Sequence, residues 1–440
     1  MACTRTISVS IQKTSADYTL PLKGIPSRYA LWNNVSINDV KRGEPMKDIL
    51  FAQLESLYPE MVEIRRHLHM YPELSYQEKD TPEYIIAHLE TLGIEYRRDV
   101  GLNGVVGYLK GAYPGPTVAL RADFDALPIH DEKDVPYRSK YDGISHACGH
   151  DAHTATLMAV EKVMAGHRSQ MHGNIVFIHQ FGEELLPGGA SSMIDDGCLE
   201  GVDYIYGAHV WTDDPIGTLG FRSGGTMAGD DNFTITVQGK GGHGALPHLA
   251  IDPLATASQL VMNLQQITRR RTGPNDPGVI SIGSFHSGDA PNVIPDTAQI
   301  TGTLRAFDIQ SKYELAEEVK HVADLTARMS GASVNVDFTY GCIPLINPTE
   351  ETEMLKSLSV RHMEDVTIIE KGRMMTAEDF AYYLQHVPGT FFFAGAQNPA
   401  VDAVYPHHHP KFDIDERAML EVGKVFILAL LHHLGPESAL

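Results

Sequence analysis

The chain has 440 residues, 43% of them hydrophobic, enough to bury large cores and to divide into two or three domains. Lys and Arg number 35 against 56 Asp and Glu, a formal net charge of -21 that argues against nucleic acid or an anionic membrane surface as partner. No apolar run reaches eighteen residues, so no spanning helix is expected, and the four scattered cysteines suit a reducing cytoplasm better than a disulfide scaffold.

Residues 1–45 carry Ser, Thr, Lys and Arg without the apolar core of a signal peptide. They read as a poorly ordered N-terminal extension, with an organelle-targeting peptide as the alternative. From Met46 a helical spacing of Leu50, Leu54, Leu57, Met61, Ile64 and Leu68 runs to the turn Tyr71-Pro72-Glu73. A second helix is expected over Thr81–Leu92, closed by Gly93. Strands follow at Val105–Leu109, Val118–Phe124, Ile175–Phe181 and Tyr204–Val210, the later ones separated by helical patterns. That alternation implies an α/β fold with a mainly parallel sheet covered on both faces.

The character changes around Gly224–Gly229. Strand Phe233–Val237, helix Pro253–Arg271, strands Val279–Phe285 and Thr297–Phe307, helix Tyr313–Met329 and strand Ala332–Tyr340 follow one another. This β-α-β-β-α-β order is the ferredoxin-like α+β arrangement, and it leaves a sheet face and an edge for dimerisation. After Gly341 the α/β pattern returns, with helices near Glu351–Leu358 and Ala377–Leu384, strand Thr390–Ala394 and a last helix over Asp415–His433. The expected division is therefore a discontinuous domain of residues 46–227 and 342–440, with residues 228–341 inserted as a dimerisation or lid domain.

The chemistry concentrates in His-Ala-Cys-Gly-His-Asp-Ala-His at residues 146–153. A thiolate, a carboxylate and three imidazoles at that density suit a transition metal such as zinc or manganese. Cys148 and His150 leave an extended or looped backbone on the same side. Glu183 and Glu184 follow an apolar strand, and a ligating carboxylate beside a proton-moving one is what metal-assisted hydrolysis needs. These groups lie just beyond the carboxyl ends of the strands, where open α/β sheets hold their ligands.

Other positions leave alternatives open. His209 closes an apolar strand, as ligand or as structural residue. His408 lies among three adjacent histidines, and composition does not choose between them. His243 stands between glycines in the inserted segment, facing a substrate or forming an ordinary hairpin loop. Asp123 ends a buried strand with Arg121, either orienting His150 from behind or pairing with that arginine. Asn292 and Arg305 flank a strand of the inserted segment, where an Arg could fork onto a substrate carboxylate or stay solvated.

Together these pieces resemble the amidohydrolase branch of the aminoacylase/carboxypeptidase metallopeptidases, which includes hippurate hydrolases and plant indole-acetyl amino acid hydrolases. The matching stretches are RRHLHMYPELSYQE at 65–78, LRADFDALPI at 120–129, HACGHDAHTA at 146–155 and EELLPGGASSMI at 183–194. GAHV at 207–210, GKGGHGALPH at 239–248, APNVIPDTAQITGTLRAFD at 290–308, AEDFA at 377–381 and HHPKFDIDE at 408–416 complete a collinear set. The resemblance implies a catalytic domain of zinc-exopeptidase type and two divalent ions (Zn, Mn, Co or Ni) per subunit. Cys148 would bridge them, with His150, Glu184, His209 and His408 completing the shells. Glu183 would be the general base, and His243, supplied across a homodimer, would steady the oxyanion. Gln180-Phe181-Gly182 and Thr376 depart from the usual pattern, which is a proline and a small residue before the Glu pair and a glycine at 376. Both departures are expected to touch pocket shape.

The expected function is hydrolysis of an N-acyl (N-acetyl, benzoyl or similar) L-amino acid to a carboxylate and a free amino acid. A metallo-dipeptidase or aminopeptidase of the same fold is the alternative. A non-catalytic binding protein retaining the fold is a third, disfavoured because Glu183 and every expected ligand are present.

Overall fold

A computed structural model describes residues 45–270, 278–436 and 439–440. All but the last residue of the expected extension 1–45 lies outside these, as does the final residue of the helix expected over Pro253–Arg271.

Where one helix was expected after Met46 there are two, Met46–Ser56 and Tyr58–Met70. Pro59 lies in the first turn of the second. Its nitrogen cannot donate to a preceding carbonyl, so the helix restarts at Tyr58 although the apolar spacing continues across the break.

The larger sheet has eight strands, in the order Glu95–Val100, Gly104–Lys110, His172–Gln180, Tyr113–Asp123, Tyr204–Pro215, Gly389–Gln397, Thr218–Phe221 and Thr367–Glu370. Four of its seven pairings are parallel, and they lie in the centre and at one edge. Glu95–Val100 was not expected as a strand. It is a largely exposed edge whose charged residues blunt further pairing. The central strands are buried on both faces, which is why Gly389–Gln397 reads as an unbroken apolar run. Helices His150–His167 and Ala418–Leu434, nearly buried throughout, pack against the sheet.

The smaller sheet is antiparallel, in the order Val279–His286, Thr297–Ala306, Gly229–Gln238 and Ser333–Tyr340. With helices Pro253–Arg270 and Ile309–Ser330 this is the split βαβ arrangement. Phe233, Ile235 and Val237 face the helices, while Thr234 and Thr236 alternate onto the other face. Asp308 caps the second helix by accepting from Ser311 N–H, and Gly331, at φ 76°, ends it.

The two sheets build separate cores. Side chains from both sides of the 228–341 segment share the first, and only that segment supplies the second. Among the described residues no helix is long and apolar enough to cross a membrane.

Candidate metal centre

The site forms where three neighbouring parallel strands run out. Tyr113–Asp123 leads to Asp125, His172–Gln180 leads to Glu183 and Glu184, and Tyr204–Pro215 carries His209. Helix His150–His167 starts immediately beside them. Its first residue follows Gly149, at φ 101°, where a Cβ would come within 2.5 Å of Val210 Cγ2. Only glycine fits this turn, and it brings Cys148 and His150 to one side.

Cys148 Sγ lies 3.4 Å from His209 Nε2. The other nitrogen of His209 donates to Val210 O at 2.6 Å, so its Nε2 lone pair faces the thiol. His150 Nδ1 donates to Asp125 Oδ1 at 3.1 Å, leaving Nε2 buried without a hydrogen bond, 3.8 Å from Glu184 Oε1 and 4.0 Å from Glu183 Oε2. His408 Nε2 stands 3.3 Å from Glu184 Oε1. The ligand atoms of Cys148, His150 and His209 all lie within 4.8 Å of one another, and so do those of Cys148, Glu184 and His408. His408 is half-exposed while the other donors are largely buried, so the site opens on that side.

The electrostatics suit a cation. Burial, then the Glu184 charge, pushes the Cys148 thiol well above its ordinary value. Burial, then Glu378, Glu184 and Asp379, does the same to Glu183. Burial and the neighbouring histidines hold His209 well below its ordinary value, as a neutral imidazole. Burial pulls His150 down, but Asp123, Asp125 and Cys148 outweigh it and hold that ring well above its ordinary value. Acidic groups packed closely enough to oppose one another's ionisation, a neutral imidazole and buried atoms without hydrogen bonds on His150 and Glu184 fit a transition-metal dication, whose charge would offset that crowding.

Of the ten residues singled out from sequence, the structure brings six together: Cys148, His150, Glu183, Glu184, His209 and His408. His407, its ring 5.1 Å from that of His209, accepts from Thr212 N–H at 3.3 Å and His409 accepts from Lys411 N–H, so among the described residues only the middle histidine of the three joins a donor group. Asp123 pairs with Arg121, one of its two expected readings, and lies 3.9 Å from His150 Nε2. Its short bonds, both 2.6 Å, go to His153 Nδ1 and Arg121, and it is Asp125 that reaches the back of His150. His243 lies on the exposed ribbon Gly242–His243, with Nδ1 accepting from Ala245 N–H, and Asn292 O accepts from Gly244 N–H beside it. Among the described residues neither joins the donor groups. Arg305 donates to Met375 O at 2.7 Å, tying the smaller sheet to the loop that precedes Glu378.

A layer beneath Glu183 was not anticipated as part of the site. Arg121, fully buried, bonds Asp123, Gln180, Glu378 and Asp379 together. Burial, Arg121 notwithstanding, raises Glu378 to about 8. The AEDFA stretch carried the signal for the last two, and Arg121 at the end of a buried strand pointed to the rest. Phe181 is fully buried, its ring 5.6 Å from Tyr76.

Thiol, imidazole and carboxylate donors around one buried point, with a further carboxylate beside them at the carboxyl ends of a sheet, define a metal-dependent hydrolase. Residues 119–432 match the model of the peptidase family M20/M25/M40, and the chain belongs to that family, whose members hydrolyse amide bonds. It is 50% identical to "Putative amidohydrolase YhaA" of Bacillus subtilis over 383 residues, 87% of this chain and 96% of that protein. It is 38% identical to the N-acetyl-L-cysteine deacetylase of Bacillus subtilis over 372 residues, 84% of this chain and 88% of that protein. Among solved structures it is similar to YXEP of Bacillus subtilis, described as a dinuclear metal binding peptidase from the M20 family. That likeness has a TM-score of 0.76 and 32% identity, covering 86% of this chain and 99% of that one.

Proposed function

We propose that the chain is an N-acyl-L-amino acid amidohydrolase, releasing a carboxylate and a free amino acid with two divalent ions. The observation that carries this reading is that Cys148 belongs to two donor groups, one with His150 and His209, the other with Glu184 and His408. A thiolate shared in this way suits a bridge between two ions. The deacetylase similarity supports an N-acyl amino acid as substrate, and the dinuclear relative supports two metals. Bound there, divalent cations polarise an amide carbonyl and bring the pKa of water from 15.7 toward about 7.

The chain's own groups supply the rest. Glu183 takes the proton of the attacking water and returns it to the leaving nitrogen. Asp125 keeps the proton of His150 on Nδ1, and Val210 O does so for His209, so each ring offers Nε2. Ala245 N–H occupies His243 Nδ1, so a neutral His243 carries its proton on Nε2 and can donate to an oxyanion. Asn292 and the rest of the Arg305 fork are assigned to the substrate carboxylate. The catalytic unit is residues 46–227 with 342–440, the dimerising unit is 228–341, and the working place is the cytoplasm.

The test is a hydrolysis panel of N-acetyl, benzoyl and indole-acetyl amino acids beside free dipeptides, with Mn, Zn and Co added back in turn. Turnover of acylated substrates but not of free dipeptides is expected. The reverse preference would turn the reading to a dipeptidase, and no turnover with bound metal would turn it to a binding protein.

A further inference from the structure

Three residues outside the donor set fasten the loop that carries the Glu pair. Glu78 accepts from Gly182 N–H at 3.0 Å. Ser75 Oγ donates at 2.7 Å to the same Asp125 oxygen that accepts from Glu184 N–H. Tyr76 holds the loop at two places, its hydroxyl donating to Leu185 O at 2.9 Å and accepting at 3.0 Å from Gly188 N–H, which also donates to Leu185 O at 3.0 Å, so the hydroxyl ties this turn to the chain at Tyr76.

Tyr76 does this from an unusual backbone. Its φ is 64°, in the left-handed region that side chains with a Cβ rarely adopt. Among the described residues three other non-glycines share the region: Asp99, Asp402 and His408. Aspartates tolerate it through local bonds of their own, and His408 is a proposed ligand. A bulky aromatic residue persists there only when its surroundings over-determine it, and such outliers gather at functional sites. The surroundings here are specific. The Tyr76 ring meets Phe181 edge-on at 5.6 Å, and Gly182, itself at φ 62°, leaves room where a Cβ would come within 3.2 Å of that ring.

The two glutamates depend on this clamp unequally. Glu184 has separate anchors, its N–H on Asp125 and its carboxylate facing His408. The nearest basic side chain to the Glu183 carboxylate is His150, whose Nε2 is 4.0 Å away, so its place follows from the backbone of its loop.

We infer that Tyr76 is a positioning residue for Glu183, its hydroxyl anchoring the Leu185–Gly188 turn to the segment that carries Tyr76 so that the base meets the substrate at one fixed distance. The inference rests on the amidohydrolase reading, and Glu183 as base is part of it. The experiment compares wild type, Tyr76→Phe and Tyr76→Gly as full-length metal-loaded enzymes. kcat and KM are read on an N-acetyl amino acid, metal content by mass spectrometry, and hydrogen exchange over residues 182–190. Tyr76→Phe should lower kcat roughly 10- to 100-fold with KM changed less than about threefold. Metal content should hold, and exchange should quicken across residues 182–190 as the loop loses its anchor, while the sheet strands stay protected. Tyr76→Gly, although it relieves the backbone, should be impaired at least as much. An unchanged kcat in Tyr76→Phe overturns the inference, and so do unchanged exchange or a loss of metal that accounts for the loss of rate. If wild type hydrolyses no N-acyl amino acid, the functional reading fails instead, and the exchange measurement still reports whether the hydroxyl holds the loop.

Discussion

Cys148 stands between two donor groups that share no other member, and Glu183, which groups with His150 and Glu184 instead, is proposed as the base and not as a ligand. These positions separate two losses that a single activity assay would confuse. Glu183→Gln removes only the proton carrier, so it should keep both metal equivalents and the fold while kcat falls about 10²- to 10⁴-fold. Cys148→Ala removes an atom proposed to touch both ions, so metal content itself should drop. Elemental analysis beside steady-state kinetics checks the pair, and two tightly held equivalents in Cys148→Ala would end its bridging role. The density of ligand types at 146–153 was legible in sequence, but the choice between Asp123 and Asp125 was not. The two are two residues apart and so share a face of an extended chain. Only the end of the strand at Asp123 lets Asp125 turn behind His150. The histidine triplet was equally mute, because what selects His408 is its φ of 64°, a tertiary outcome.

Among the elements, periodicity located most helices and strands, and it failed where another rule won. It ran straight through Leu57 because apolar spacing does not register the missing N–H of Pro59. It missed Glu95–Val100 because an exposed edge strand has little apolar alternation to show. The last helix, Ala418–Leu434, carries a less visible liability in its first turn. Glu421 accepts from Gly217 N–H at 3.1 Å through one oxygen, while the other is buried with no hydrogen bond. Burial, with Asp415 adding to it, raises its pKa from 4.5 to about 7. A carboxyl whose pKa is raised by folding stabilises the fold below its unfolded pKa, and that contribution is lost as pH climbs through the folded value. Between about pH 4.5 and 7 the wild type should therefore lose on the order of 1–3 kcal/mol at this position. Glu421→Gln mimics the protonated form at every pH. Urea unfolding should find it close to wild type at pH 5 and more stable at pH 8. An equal difference at both pH values would show that Glu421 is ionised in the fold throughout.

At the scale of the whole molecule, the donors gather around one core and His243 belongs to the unit built on the other. The order of the sequence showed this separation, since every proposed ligand lies outside 228–341. What it could not show is how His243 reaches a substrate. The ribbon that carries it is exposed, and Leu246, Leu249, Leu254, Met262 and Val293 of the same unit also expose apolar surface. Such a surface suits a second copy of the chain, whose His243 would then complete the site of its partner. His243→Ala should lower kcat about 10²- to 10³-fold at unchanged metal content, as the loss of an oxyanion donor does. Mixing inactive His243→Ala with inactive Glu183→Gln then tests where the histidine comes from. In a mixed dimer one site has an intact Glu183 from one subunit and an intact His243 from the other, while the second site lacks both. Random exchange at equal amounts makes half the dimers mixed, so about a quarter of wild-type activity should return. Light scattering at micromolar concentration should find a dimer. A monomer, or no recovery once subunits have demonstrably exchanged, would mean that His243 acts within its own chain or not at all.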